Sequence, residues 1–506
     1  MDERHAFGHV LKRLRLAAGL THEALAERAS LGARTISDLE RGVSRAPRAD
    51  TLALLIEALD LSPDERVLLE AAARPAPDVV PLAVSSPLRL RPRPQPLTSF
   101  VGRTRETRAV RDLLVREDTR LVTLTGPGGV GKTRLSLHVA SQLDAAFRDG
   151  VVAVDLALVA HPDSVCQVIG RALGFIDERS LSPEHLTTAL DHQHLLLVLD
   201  NFEHLLAATP LVTELLRGAP HLKVLTTSRE ALRLSGEQEY PVPPLPVPDP
   251  THLPALEGLA DYAAVRLFVD RATRAQPGFV LTTGNAPAVA AICAQLDGLP
   301  LAVELAAARV RSLPPQALLE RLQTSNLATL DLLAAGPRDA PARQQTLRET
   351  IAWSHDLLGA PERALFRRLA VFSGGCALEA AQAVCNPPHD PSPAATSAVG
   401  EVGERGSEVA VFDRLLSLVD KSLVGLADGL DGAPRFRMLE TIRAFASEQL
   451  AASGEDGWAR RAHAAYYLSL VKATGALLFA SERTRARQAA EEGNVQAALR
   501  WLVEHD

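Results

Sequence analysis

Apolar residues recur at helical spacing near the start of the chain. Phe7, Val10, Leu11, Leu14 and Ala18 make one stripe. Leu25, Ala26 and Ala29 make a second behind a capping Thr21, and Ile36 and Leu39 a third. Leu52, Leu55, Ile56 and Leu59 predict a fourth helix, and Ser62-Pro63-Asp64-Glu65 opens a fifth with a capping box and a proline at the first helical position. The pattern predicts a bundle of five short helices over 5–73. Arg34, Thr35, Ser37, Asp38 and Arg41 face outward from the third.

Further along, the period changes. Leu121–Thr125, Val151–Asp155 and Leu195–Leu199 are short apolar runs, as expected of strands covered on both faces, and HLKVLTTSRE carries a fourth. Helical stretches separate them, among them Ser164–Leu173. That order predicts a parallel, three-layer α/β domain. From Trp458 onward the spacing is helical again: Tyr466, Tyr467, Leu470 and Val471, then Val495, Ala498, Leu499 and Leu502.

Proline punctuates these regions. Seven prolines fall between Arg74 and Leu97, which predicts a semi-rigid tether with a reach of roughly 70 Å in polyproline II form. A second cluster, YPVPPLPVPDPTHLP from Tyr240, separates the strand-containing region from a helix-rich one, and 386–408 reads as a flexible loop. With 506 residues, 46% of them hydrophobic, the chain has core material for several domains of about 150 residues each.

Charge and cysteine narrow the function classes. The net charge of −7 excludes a polybasic nucleic-acid coat, so any DNA contact must come from a local patch. Such a patch is present: Arg4–Arg48 holds nine Lys/Arg against four Asp/Glu, whereas 49–73 holds one against six. Cys166, Cys293, Cys376 and Cys385 are far apart and form no zinc or disulfide spacing. The charged start excludes a signal peptide, and the longest apolar stretch, Ala286–Val310, carries Asp297, Glu304 and Arg309 and will not span a membrane. A cytoplasmic protein without a membrane partner is expected.

The strongest chemical signal is RLVTLTGPGGVGKTRLSLHVA. Gly126-x4-Gly131-Lys132-Thr133 is a complete P-loop between a strand pattern and a helix pattern. Glycines let successive N–H groups point at phosphate oxygens, and the helix N-terminus adds its dipole. Lys132 is expected on the β- and γ-phosphates and Thr133 on Mg²⁺. HLLLVLDNFEH ends a strand in Asp200, a second Mg²⁺ group. Asn201 follows where a second carboxylate could stand, so Glu203 is the nearest group to position an attacking water. Arg229 closes the next strand, where a γ-phosphate sensor belongs.

Two resemblances follow from these and neighbouring motifs. GHVLKRLRLAAGLTHEALAERASLGARTISDLERG resembles the helix-turn-helix of Cro/repressor-type (XRE family) regulators. That resemblance implies double-stranded DNA as a partner, with Arg34, Thr35 and Ser37 toward bases and Arg13, Arg41 and Arg45 toward phosphates. His22 stands where the family usually contacts DNA through Gln, Ser30 sits at the customary turn glycine, and Gly32 replaces the usual capping Ser. FVGRTRE before the P-loop, GLPLAVELAAARV, LRETIAWSHDLLGAPERALFRRLAVFSGG, LVDKSLVG and FRMLETIRAFA together resemble the bacterial NB-ARC branch of the STAND signalling ATPases.

By the second resemblance Phe100, Val101, Gly102, Arg103 and Pro300 enclose adenine and ribose, while Gly126, Gly128, Gly129, Val130, Gly131 and Arg134 complete the ATP/ADP site. Many relatives carry Met-His-Asp where Met438 is followed by Leu439 and Glu440, so Glu440 is given no nucleotide role. The implied fold class is multidomain α and α/β. The domains would be a helix-turn-helix bundle (5–73), a linker (74–97), the P-loop domain (98–250), a helical domain (251–335), a winged helix (336–450) and the TPR-like start of a repeat region (451–506).

About 50 C-terminal residues are too few for a repeat array, which needs at least three units, so the chain is expected to end early, to be a fragment, or to use a partner as its sensor. The expected function is an ATP/ADP-switched transcriptional regulator that oligomerises with itself and answers an unknown sensor ligand or protein. ATP hydrolysis would be at most a slow reset. The alternative is a nucleotide-dependent signalling or defence scaffold whose helix-turn-helix binds protein.

Overall fold

The computed structural model describes residues 6–41, 47, 49–61, 65–66, 69, 73, 98–175, 181–324, 330, 333, 346–386, 404–429, 433–474 and 489–505. The expected linker 74–97 and Arg45 lie outside these residues, as do most of the fifth N-terminal helix and the loop from 387. The chain divides into two compact units, Met1–Pro87 and Leu88–Asp506.

In the first unit the helices are Ala6–Ala17, His22–Arg28, Ala33–Glu40 and Ala49–Leu59. Their apolar stripes meet in one core through Phe7, Leu11, Leu14, Leu25, Ile36, Leu39 and Leu55. Thr21 caps the second helix, its hydroxyl accepting from the Ala24 N–H at 3.2 Å. The turn to the third helix is unusual. Ser30 takes a φ of +52°, left-handed backbone that favours glycine, and Gly32 caps the third helix with no side-chain hydrogen bond.

The second unit is built on a parallel sheet: β1 (Leu121–Thr125), β2 (Val151–Asp155), β3 (Leu196–Asp200), β4 (Lys223–Thr227) and β5 (Glu237–Pro241), in the order β2-β3-β4-β1-β5. β1 and β3 are buried throughout, matching their unbroken apolar sequence. β5 falls where the proline cluster had suggested only a boundary. Pro241 is tolerated because it ends an edge strand and need not donate to an outer neighbour.

After a short helix at Leu256–Ala260, four longer ones follow among the described residues: Ala263–Ala275, Ala286–Gln295, Pro300–Ala308 and Pro315–Thr324. Gly298 joins the second to the third at φ +64°, and a Cβ there would stand 2.1 Å from the Leu245 carbonyl oxygen. Only glycine lets the proline-rich strap after β5 run this close. Leu347–Asp356, Ala360–Arg368, Leu378–Cys385 and Glu404–Asp420 come next, followed by the antiparallel hairpin of β6 (Gly425–Asp428) and β7 (Pro434–Arg437). The last helices are Glu440–Ser453, Asp456–Thr474 and Glu492–His505. Among the described residues no helix is long and apolar enough to cross a membrane.

Candidate functional site: a P-loop cleft

β1 ends at Thr125, and Gly126–Gly131 curl before the helix Lys132–Gln142 begins. Gly126, Gly129 and Gly131 hold φ values of +140°, +78° and +94°, conformations that L side chains rarely adopt. A Cβ on Gly128 would come within 2.6 Å of Thr350 Cγ2, and one on Gly129 within 3.0 Å of Leu301 Cβ. The bare backbone is therefore needed for packing as well as for turning. Val130 is buried beneath the curl. The helix after Gly131 has no side-chain cap, so its first N–H groups are available to an anion.

Charged groups converge on this curl. Lys132 Nζ donates to the carbonyls of Gly126 at 2.7 Å and Pro127 at 3.2 Å. Burial pushes its ammonium down to about 8 against the pull of Glu203 and Asp200, and Arg229 lowers it further. Asp200, at the end of β3, accepts from Thr227 Oγ1 at 2.5 Å and from Asn201 Nδ2 at 2.7 Å. Burial raises its carboxyl to about 6, while the hydroxyls of Thr227 and Thr133 work in the opposite direction. The Thr133 hydroxyl and the Asp200 carboxylate are thus near enough to influence each other, an arrangement in which the two together offer hard oxygen ligands to Mg²⁺. Among the described residues no group of three or more His, Cys, Asp or Glu could hold a metal, so such an ion would complete its shell with phosphate oxygens and water.

Glu203 and Arg229 form a buried pair, Nε to Oε1 at 3.1 Å. Burial alone would raise the Glu203 carboxyl, but Arg229 and Lys132 outweigh it and hold it below its ordinary value. Its other oxygen, Oε2, is buried with no hydrogen-bond partner among the described residues, an orphan acceptor in a cleft that Lys132, Thr133, Asn201 and Arg229 also line. Arg229 Nη1 also donates to the Thr350 carbonyl at 3.4 Å, joining β4 to the helix Leu347–Asp356.

On the far side of the curl lies a mainly apolar crevice lined by Phe100, Val101, Arg103, Leu245, Leu267 and Pro300. Gly102 (φ +71°) keeps the chain close to Ala263, and Phe100 stacks on His138 with ring centroids 4.2 Å apart. The buried Arg103 guanidinium donates to the carbonyls of Pro243 at 2.6 Å and Val130 at 2.8 Å, so it braces the curl from behind. Arg134 donates to the Thr98 and Ser99 carbonyls and to Glu304 Oε1 at 3.3 Å. Pro300 and Leu301 begin a helix that sits on the curl, with the Leu301 N–H donating to the Gly129 carbonyl at 3.2 Å. Thr227, Thr350, Glu304 and Asp297 belong to this neighbourhood without having been singled out as site residues from sequence.

In the first unit Arg13, Arg34, Thr35 and Arg41 are exposed and Ser37 is half-buried. His22 is only partly exposed. Its Nε2 lies 2.9 Å from Glu40 Oε2, and the same carboxylate accepts from Arg15 Nε at 2.6 Å and Nη2 at 2.9 Å. His22 therefore leans on the ion pair that joins the first helix to the third.

Three family models match: a helix-turn-helix domain over 6–69, an AAA domain over 115–235 and a winged helix-turn-helix domain over 391–451. The chain is 42% identical over 390 residues to Rv0890c of Mycobacterium tuberculosis, which bears the name of an HTH-type transcriptional regulator. That match takes in 76% of this chain and 40% of the relative, so the chain spans well under half of that protein's length. It is 40% identical over 361 residues to the uncharacterized protein Rv0894 of the same organism, covering 71% of this chain and 83% of the relative. Among solved structures, a STAND protein with a tetratricopeptide repeat sensor from Pyrococcus horikoshii aligns over 83% of this chain and 52% of its own, at 16% identity and a TM-score of 0.29. With most of Rv0894 spanned at that identity, the chain belongs to the same family, and by its matched domains it joins an N-terminal helix-turn-helix to an AAA domain carrying the P-loop and a winged helix-turn-helix.

Proposed function

We propose that the chain is a DNA-binding transcriptional regulator switched by exchange of ADP for ATP·Mg²⁺. The observation that carries the reading is the double engagement of Arg229. Its guanidinium lies in the phosphate cleft beside Lys132 and Glu203, yet it also holds the carbonyl of Thr350, 121 positions further along the chain in a helix beyond the nucleotide domain. A third phosphate offers Arg229 a stronger, charged acceptor than a main-chain carbonyl. Arg229 would then leave Thr350, and the hold on Leu347–Asp356 would slacken.

The remaining residues have defined tasks. The Gly126–Gly131 amides and Lys132 bind the β- and γ-phosphates, and Thr133 and Asp200 hold Mg²⁺. Phe100, Val101 and Pro300 cover the base. A bound triphosphate supplies the phosphoanhydride whose hydrolysis resets the switch. Glu203, whose Oε2 has no hydrogen-bond partner among the described residues, is the carboxylate placed to orient a water. Opening would permit self-association, and several weak helix-turn-helix modules would gain avidity on one DNA. Arg34, Thr35 and Ser37 would face bases, Arg13 and Arg41 phosphates, and His22 would position the first helix against the third. The name of Rv0890c supports the regulatory reading.

Lys132→Ala tests it. Nucleotide content, oligomer size by light scattering and DNA affinity should all lose their dependence on ADP and ATP. Unchanged oligomer size and DNA affinity in this variant would refute the switch. DNA affinity that ignores salt would refute groove binding.

A further inference from the structure

Two cavities border the P-loop: the phosphate cleft and the apolar crevice of Phe100, Val101 and Leu267. Four residues line both, namely Gly131, Arg134, Pro300 and Glu304. In any P-loop nucleotide site the phosphates lie along the glycine curl and the base lies beyond it, so whatever sits at the neck between the two faces the ribose. Gly131 contributes backbone there and Pro300 an apolar ring. Arg134 is turned to the carbonyls of Thr98 and Ser99. Glu304 is the hydrogen-bond acceptor among them.

Its geometry is specific. All its hydrogen bonds converge on one oxygen: Oε1 accepts from Arg271 Nε at 2.9 Å, Arg271 Nη2 at 2.8 Å and Arg134 Nη1 at 3.3 Å. Oε2 has no hydrogen-bond partner among the described residues. Arg271 is itself buried and anchored to the Ser99 carbonyl, so the carboxylate is fixed in orientation. Two guanidiniums on Oε1 offset the repulsion that a carboxylate would otherwise exert on nearby phosphates. What remains is a pre-oriented anionic acceptor at the neck, and of the parts of a nucleotide only the ribose hydroxyls can donate to it there.

From this we infer that Glu304 reads the ribose hydroxyls and makes the site selective for ribonucleotides over deoxyribonucleotides. The inference rests on the nucleotide-binding reading above and adds to it the sugar that the site accepts. Hydrogen bonds to a charged acceptor discriminate by about tenfold or more.

Titration calorimetry of the full chain with ADP, 2′-deoxy-ADP and 3′-deoxy-ADP in the presence of Mg²⁺ tests it. The wild-type chain should bind ADP about tenfold or more tightly than at least one deoxy analogue. Glu304→Ala should weaken ADP by that factor, leave the discriminated analogue nearly unchanged and bring the two together. Glu304→Gln keeps the volume and decides the matter if the alanine variant misfolds by circular dichroism; it should shrink the ratio in the same direction. Equal wild-type affinity for all three ligands overturns the assignment. So does a uniform loss in the variants with the ratio preserved, which would mark Glu304 as a brace for Arg134 and Arg271 only. A wild-type chain that binds none of the three instead removes the nucleotide-binding reading itself, and this inference falls with it.

Discussion

The contact between Gly128 and Thr350 makes the closed arrangement testable by a single methyl group. An alanine Cβ at Gly128 would stand 2.6 Å from Thr350 Cγ2 and 3.6 Å from Arg229 Nη2. Gly128 does not have a positive φ, so alanine brings no backbone strain and the perturbation is steric. Neither neighbour yields easily. Thr350 is β-branched and buried, and its hydroxyl donates to the Thr346 carbonyl at 3.0 Å, which fixes its rotamer. Relief therefore requires the helix Leu347–Asp356 to move off the P-loop. Overpacking of this kind costs about 1–3 kcal/mol, which shifts a closed–open equilibrium about 5- to 150-fold. Hydrogen exchange of the Leu347–Asp356 amides in nucleotide-free Gly128→Ala should accelerate by that factor. Thr350→Ser keeps the hydroxyl and removes Cγ2, so in that background Gly128→Ala should lose at least half of its effect. Equal acceleration in both backgrounds would show that the helix does not rest on Gly128, and the closure argument would fail.

Other residues give further tests. Ser30→Gly with Gly32→Ser restores left-handed freedom to the turn and a hydroxyl cap to the third helix, and should stabilise the helix-turn-helix unit by about 1 kcal/mol in thermal melting. Asp297 has its carboxyl raised to about 6, first by burial, while it accepts from the Glu440 N–H at 2.5 Å. A raised carboxyl means that burying the charge costs stability above pH 6 and that this cost fades as pH falls from 6 toward 4. Asp297→Asn keeps the acceptor and tolerates the φ of +51°, so its stability by thermal melting should exceed wild type at pH 7.5, by at most about 3 kcal/mol, with the gain gone by pH 4. Glu455 is the opposite case. Burial works against its charge, but Arg367 and Arg368 at 2.7–2.9 Å hold its carboxyl down to about 2. Its stabilisation is present at neutral pH and is lost as pH falls from about 4.5 toward 2, so Glu455→Gln should destabilise by about 1–3 kcal/mol at pH 7 and be near neutral at pH 2.

The P-loop, the strand ending in Asp200 and the helix-turn-helix stripes were legible because each is local: glycine spacing, an unbroken apolar run and a helical period reveal themselves within a dozen residues. The unusual Ser30 and Gly32 were legible for the same reason, as residues at odds with the turn they occupy. β5 was not, because proline density around Pro241 masks a strand that only its edge position permits. Glu304 and Asp297 sit in an apolar helical stretch where sequence marks them only as charges that keep it out of a membrane. Their partners, Arg134 and Arg271 for one and Glu440 and Arg437 for the other, are 33 to 170 positions away. The network of Glu491, Asn494, Tyr467 and Arg435, which ties the last helix to the hairpin, was hidden in the same way.

Long-range contacts of this kind also bear on the proposed switch. Where the helices after the nucleotide domain meet the P-loop, the polar links include Arg229 to the Thr350 carbonyl, Ser422 Oγ to the Arg229 carbonyl, and Arg233 to Asp420. An interface held by apolar area alone would resist any phosphate, since a ligand that touches neither surface has no differential affinity for its two states. One held partly through Arg229 responds, because a phosphate in the cleft competes for the same guanidinium. Nor does the guanidinium lose its charged partner when Thr350 departs: Glu203 still pairs with it through Oε1, so opening does not break the buried ion pair. The Glu203–Arg229 pair is thus what makes opening affordable. Removing Glu203 should therefore make Arg229 rely more on Thr350 and slow exchange at Leu347–Asp356, the reverse of what loss of a stabilising ion pair would produce.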